Sequence, residues 1–132
     1  MGGDSPKHRK RGAVRRVLVV DDDPDILDAL AEILEVEGYD VQRARNGREA
    51  LQRLEQGLPD LVLLDLMMPV MDGWEFARSL APGARPPIIV LSADRNVSVK
   101  AKEIGALGWL AKPFELSELL AAVRGAVPVE TP

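Results

Sequence analysis

Cysteine is missing from the chain, which excludes disulfides, thiolate catalysis and Cys-type zinc sites. The single histidine, His8, lies in a polar leader, so histidine-based catalytic dyads and His-rich metal sites are excluded too. No apolar stretch approaches the ~20 residues that a membrane span needs. Basic residues near the N-terminus are not followed by the apolar core of a secretory signal. A soluble, cytoplasmic domain is therefore expected. The chain has 132 residues, 46% hydrophobic and 29% charged, which suits one domain with a real core.

Charge is unevenly placed. Residues 1–16 carry Lys7, Arg9, Lys10, Arg11, Arg15 and Arg16 against Asp4 alone, a net of +5. The whole chain is −4, so the remainder is −9. An acidic body argues against a nucleic-acid surface on the folded part. With Gly2, Gly3, Ser5 and Pro6, residues 1–14 read as a disordered basic tail, solvated or touching an acidic partner. Residues 15–127 are expected to form the folded domain and 128–132 a short C-terminal tail.

The chain is organised around the apolar run Leu61-Val62-Leu63-Leu64-Asp65-Leu66-Met67-Met68-Pro69. Its composition predicts a strand buried on both faces, with one carboxylate, Asp65, at its end. A lone acid there is costly unless it meets solvent or a cation. Upstream, Arg16–Val20 predicts another buried strand, stopping at Asp21-Asp22-Asp23-Pro24. Ile26, Leu27, Leu30, Ile33 and Leu34 recur at helical spacing, and Gly38 is placed to end that helix. A strand near 40–44 follows, then a helix capped by Asn46 that buries Ala50, Leu51 and Leu54.

After the central strand, Met71-Asp72-Gly73 reads as a turn. Trp74, Phe76, Ala77 and Leu80 mark a short helix that Pro82-Gly83 ends. The cluster of Met67, Met68 and Met71, with Trp74 and Phe76, reads as packing and loop filling. Residues 87–91 predict a fourth strand ending at Ser92, and a helix is expected around 96–104. A fifth strand, 108–111, ends at Lys112-Pro113. Leu116, Leu119, Leu120, Val123 and Val127 give the last amphipathic helix.

Strict strand–helix alternation with continuous apolar strands predicts a parallel sheet covered by helices on both faces. Such a sheet gathers its strand C-termini at one edge, where ligands bind. Four of the five strands end in a reactive side chain: Asp21-Asp22, Asp65, Ser92 and Lys112. Three crowded carboxylates either raise a pKa or bind a cation. With only oxygen ligands on offer the cation is hard, and Mg2+ fits best, with Mn2+ as an alternative. Lys112 and the Ser92 hydroxyl are suited to phosphoryl oxygens. Asp65 is suited to be a carboxylate nucleophile.

This set resembles the signature of the receiver domain of two-component response regulators: Asp21-Asp22, Asp65 within LVLLDLMMP, Ser92-Ala93 and Lys112-Pro113, in order, from about Arg16 to Val127. The resemblance implies an α/β flavodoxin-like (βα)5 three-layer sandwich around a five-stranded parallel sheet. It implies phosphotransfer onto Asp65 from a histidine kinase or histidine phosphotransfer protein, with magnesium required. Asp22 and Asp65 match the direct metal ligands, Asp21 an acid often acting through water, and the Met67 backbone carbonyl the third protein ligand. Ser92 matches the switch hydroxyl and Lys112 the site lysine, while the peptide to Pro113 is expected to be cis. Trp109 stands where the family uses Tyr or Phe, and its role as core, interface or moving switch stays open. Met67 and Asp94 hold positions that tune dephosphorylation in the family, and an apolar Met67 points to slow hydrolysis.

Each residue also has a plainer reading. Asp22 and Asp23 are placed to cap the first helix, Asp65 to end a turn, Ser92 to be a loop hydroxyl and Lys112 a surface charge. The expected protein is a stand-alone, chemotaxis-type single-domain receiver, because only residues 128–132 follow the last helix. It would be a phosphoacceptor rather than an enzyme, monomeric or weakly dimeric. It would signal to an effector through the face formed by the fourth helix, fifth strand and fifth helix. The alternatives are a phosphorylation-independent scaffold and a phosphatase of the haloacid-dehalogenase type. The phosphatase wants a second acid two residues after Asp65, where Met67 stands.

Overall fold

The computed structural model describes residues 15–80 and 85–128. The expected basic tail 1–14, the Pro82-Gly83 helix stop and the last residues of the C-terminal tail lie outside the described residues. Ten elements alternate without exception: β1 (Arg16–Val20), α1 (Pro24–Val36), β2 (Asp40–Ala44), α2 (Gly47–Glu55), β3 (Leu61–Asp65), α3 (Gly73–Arg78), β4 (Ile88–Ser92), α4 (Val97–Ile104), β5 (Gly108–Ala111) and α5 (Leu116–Ala126). The strands form one parallel sheet in the order β2-β1-β3-β4-β5. This is the expected flavodoxin-like arrangement. The order reverses between β1 and β3, and a crevice opens there at the strand C-termini.

Strand alternation divides the core into two layers. Val17, Val19, Leu61, Leu63, Ile89 and Leu91 face α1 and α5. Leu18, Val20, Val62, Leu64, Ile88 and Val90 face α2, α3 and α4. Each buried Leu or Ile contributes about 1.5–3 kcal/mol relative to exposure, so the three central strands anchor the fold. The edge strands depart from the continuous apolar expectation. β2 is only partly covered, and β5 alternates between half-buried and exposed residues.

Several local expectations are corrected. The central apolar run leaves the sheet at Asp65, and although Leu66 and Met68 stay buried, Met67 is 66% exposed and fills nothing. Asp72 is not a mere turn residue. It caps α3 in a reciprocal capping box with Glu75, satisfying two backbone donors at once. α3 ends at Arg78, so Leu80 lies beyond it. Ile26 and Leu116, the first members of their apolar helical series, are exposed in the first turns of α1 and α5.

Candidate phosphoryl-transfer site

The three acids after β1 divide their work. Asp21 is buried: its N–H donates to the Ala44 carbonyl at 3.1 Å, and its Oδ1 accepts the Asp23 N–H at 2.9 Å. Asp23 caps α1, accepting the N–H groups of Asp25 and Ile26 at 2.9 and 3.3 Å. Asp22 is exposed, and α1 takes its capping bonds from Asp23, so the helix-cap reading holds for Asp23.

Asp65 ends β3 almost fully buried, and its Oδ1 accepts the Met67 N–H at 3.1 Å. Ser92 ends β4 with no exposed surface, one step beyond Leu91, the register partner of Asp65. Its Oγ accepts the Asp94 N–H at 3.1 Å. The Lys112 N–H donates to the Ser92 carbonyl at 2.9 Å, which extends the β4–β5 pairing and aims the lysine at the strand edge. Lys112 Nζ then lies 3.1 Å from Asp21 Oδ2 and 3.4 Å from Asp65 Oδ2. The Lys112–Pro113 peptide is cis, as expected.

One carboxylate oxygen from each of Asp21, Asp22 and Asp65 falls within 4.8 Å of the others. The donors are all hard oxygens and one of the three acids reaches solvent, so the cluster fits Mg2+ and, on the same grounds, Mn2+. Electrostatics agree with an acid crowded by acids. Burial pushes the Asp65 carboxyl above its ordinary value, and repulsion from Asp21 adds to it, against the Met67 N–H and the Lys112 ammonium. Burial pulls Lys112 down, but Asp65 and Asp21 together outweigh it and leave the ammonium raised.

A groove of about 440 Å³ opens beside Lys112, lined by Ile26, Ala29, Pro113 and Phe114, which join α1 to the β5–α5 loop. Trp109 lies away from the core readings offered for it: it is 45% exposed on β5. Two features escaped the sequence. Lys100 pairs with the Asp94 carboxylate, although the two are six residues apart across a loop and a helix start. Val70, in the β3–α3 loop, has φ 70°, which nothing in a β-branched residue type announces.

The family model described as "Response regulator receiver domain" matches residues 17–124. The response regulator MprA of Mycolicibacterium vanbaalenii is 45% identical over 120 residues, covering 89% of this chain and 52% of that protein. The transcriptional regulatory protein PdtaR of Mycobacterium tuberculosis is 41% identical over 116 residues, covering 86% and 57%. The chain thus spans about half the length of these curated relatives. Among solved structures, chemotaxis protein CheY4 of Vibrio cholerae superposes with TM-score 0.77 at 33% identity, covering 87% of this chain and all of that one. Response regulator TrrA of Thermotoga maritima, solved in complex with Mg2+ and BeF, gives 0.77 at 36% identity, covering 86% and 100%. Sequence, topology and the strand-end acids therefore converge, and the chain belongs to the family of response regulator receiver domains of two-component systems.

Proposed function

We propose that this receiver accepts a phosphoryl group on Asp65 from a histidine kinase or histidine phosphotransfer protein and signals through the resulting change in its surface. The observation that carries this reading is the juxtaposition at one sheet edge of three carboxylates within 4.8 Å and an ammonium 3.4 Å from Asp65. Asp21, Asp22 and Asp65, with the Met67 carbonyl, are the groups that would hold Mg2+. When bound, the ion supplies positive charge and open coordination for phosphoryl oxygens.

The remaining work falls to the chain's own side chains. An Asp65 carboxylate oxygen attacks phosphorus, and the bond from phosphorus to the donor atom breaks with its electron pair leaving on the donor. Lys112 offers a second positive charge to the transferred group, and the Ser92 hydroxyl offers a hydrogen bond. The chain acts as a phosphoacceptor, so positioning and charge stabilisation account for its part in the chemistry.

The apolar groove beside Lys112 supports docking of the donor protein next to the acceptor carboxylate. Exposed Val99, Leu107, Trp109 and Leu116 support an effector surface on the α4–β5–α5 face. We take 15–127 as the folded unit. No helix among the described residues is long and apolar enough to cross a membrane, and a cytoplasmic location is part of this proposal.

The test is intact mass after incubation with Mg2+ and acetyl phosphate. Wild type gains one phosphoryl group; Asp65→Asn, or wild type with chelator, gains none. No adduct on wild type would leave the scaffold reading.

A further inference from the structure

We infer that Lys100 is a positioning residue for Ser92, acting through Asp94 as a latch on the β4–α4 loop; this rests on the phosphoacceptor reading above. The observations form one continuous path. The Asp94 N–H donates to Ser92 Oγ at 3.1 Å. The Asp94 carboxylate accepts the Asn96 N–H through Oδ1 at 2.7 Å and holds the Lys100 ammonium through Oδ2. Its backbone carbonyl accepts the Val97 N–H at 3.2 Å. Asp94 therefore grips the site hydroxyl on one side and the start of α4 on the other.

The grip matters because α4 has no other cap of its own. Asn96, at the cap position, makes no side-chain capping bond, unlike Asp23, Asn46 and Asp72 at α1, α2 and α3. The first turn of α4 is thus organised by Asp94, and Asp94 is fixed by Lys100 from the helix's second turn. Lys100 is only partly exposed, as is its partner, so the pair is sheltered rather than free in solvent.

Ser92 is fully buried, and its Oγ is committed to Asp94 while the latch is closed. Turning that oxygen towards a phosphoryl group on Asp65 costs the Asp94 N–H bond. The closed latch therefore opposes the phosphorylated arrangement, and opening it loosens α4 at the same time. Lys100 shifts the balance between the two states, because its ammonium and the Asn96 N–H together hold the Asp94 carboxylate against the helix start.

The test compares wild type, Lys100→Met, Lys100→Arg, Asp94→Asn and the double variant Lys100→Met/Asp94→Asn. The probe is beryllofluoride with Mg2+, read by calorimetric titration, and amide hydrogen exchange of residues 97–99 is read without any ligand. Lys100→Met is expected to bind the probe about two- to five-fold more tightly, the range that releasing one partly exposed ion pair allows. It should also exchange faster at 97–99. Lys100→Arg should restore both readouts, and the double variant should bind no more tightly than Lys100→Met alone. A role confined to stability would speed exchange without tightening binding. Wild-type binding with unchanged or weaker affinity in Lys100→Met, or additive effects in the double variant, overturns the latch alone. No binding by wild type overturns the latch together with the phosphoacceptor reading.

Discussion

A Cβ added to Gly73 would stand 2.8 Å from the backbone oxygen of Asp65 and 2.9 Å from the Leu66 Cα. The first residue of α3 thus lies directly against the strand end that carries the Asp65 carboxylate. Its N–H also donates to the Leu66 carbonyl at 3.2 Å, closing the β3–α3 loop. Because the clash would be with backbone, no side chain can move aside to relieve it. Gly73→Ala is expected to destabilise the fold by about 1–3 kcal/mol, as overpacking does. It should also slow phosphorylation by displacing Asp65. Urea unfolding and the rate of adduct formation from acetyl phosphate read the two effects.

Val70 invites the opposite change. Its φ of 70° places a β-branched residue in the left-handed region, and its side chain is 67% exposed, so little burial offsets the strain. Glycine adopts that conformation freely, although it loses more chain entropy on folding. Relief of strain outweighs that loss, and Val70→Gly is expected to stabilise by about 1 kcal/mol. An unchanged or lower urea midpoint would show that the Val70 side chain makes up for its backbone.

Asp65 itself should cost stability when no metal is bound. Its folded pKa is raised, first by burial, so the ionised form is disfavoured in the native state. The penalty is fully present at pH above the raised value. It disappears as pH falls through that value towards the ordinary carboxylate range of the unfolded chain. Metal-free Asp65→Asn should therefore melt higher than wild type at pH 7, with the gap closing on acidification. Mg2+ reverses the order: at a hundredfold excess over Kd it adds ~2.7 kcal/mol to whichever chain binds it. The variant, with one acid fewer, should gain much less. Melting curves across pH, with and without Mg2+, check both signs.

Lys112 carries the complementary sign. Burial lowers it, yet its two acid partners raise it overall, so its contribution is complete below the unfolded lysine pKa and is lost as pH rises through the raised folded value. Lys112→Met leaves Asp21 and Asp65 facing each other uncompensated. The lysine side chain is 21% exposed, so the expected loss is about 1–2 kcal/mol, less than for a fully buried pair. The same variant should bind Mg2+ more tightly, because the ammonium no longer competes for the acids. Denaturation in chelator and a metal titration test the pair of effects.

The fold was legible because buried parallel strands leave little freedom of composition. The runs Val17–Val20, Leu61–Leu64 and Ile88–Leu91 are apolar on both faces because helices cover both faces. The site was legible for the same reason, since a parallel sheet collects Asp21, Asp65, Ser92 and Lys112 from distant stretches at one edge. What stayed hidden depends on where individual N–H groups point. Asp22 and Asp23 are equivalent as letters, yet only Asp23 caps the first turn of α1, while Asp22 is the exposed member of the acid cluster. Met67 reads as a filler by its chemistry, but the chain leaves the sheet at Asp65 and turns that side chain outward. The Asp94–Lys100 pair follows neither helical nor strand spacing, because a loop lies between its members.

The central claim is that Asp65, and no other carboxylate, receives the phosphoryl group. Borohydride reduction of the phosphorylated chain converts an aspartyl phosphate to homoserine, and peptide mass mapping locates it. The account predicts homoserine at position 65 alone, in wild type treated with Mg2+ and acetyl phosphate. Homoserine at position 21 or 22, or a phosphorylated chain that yields none, would contradict it.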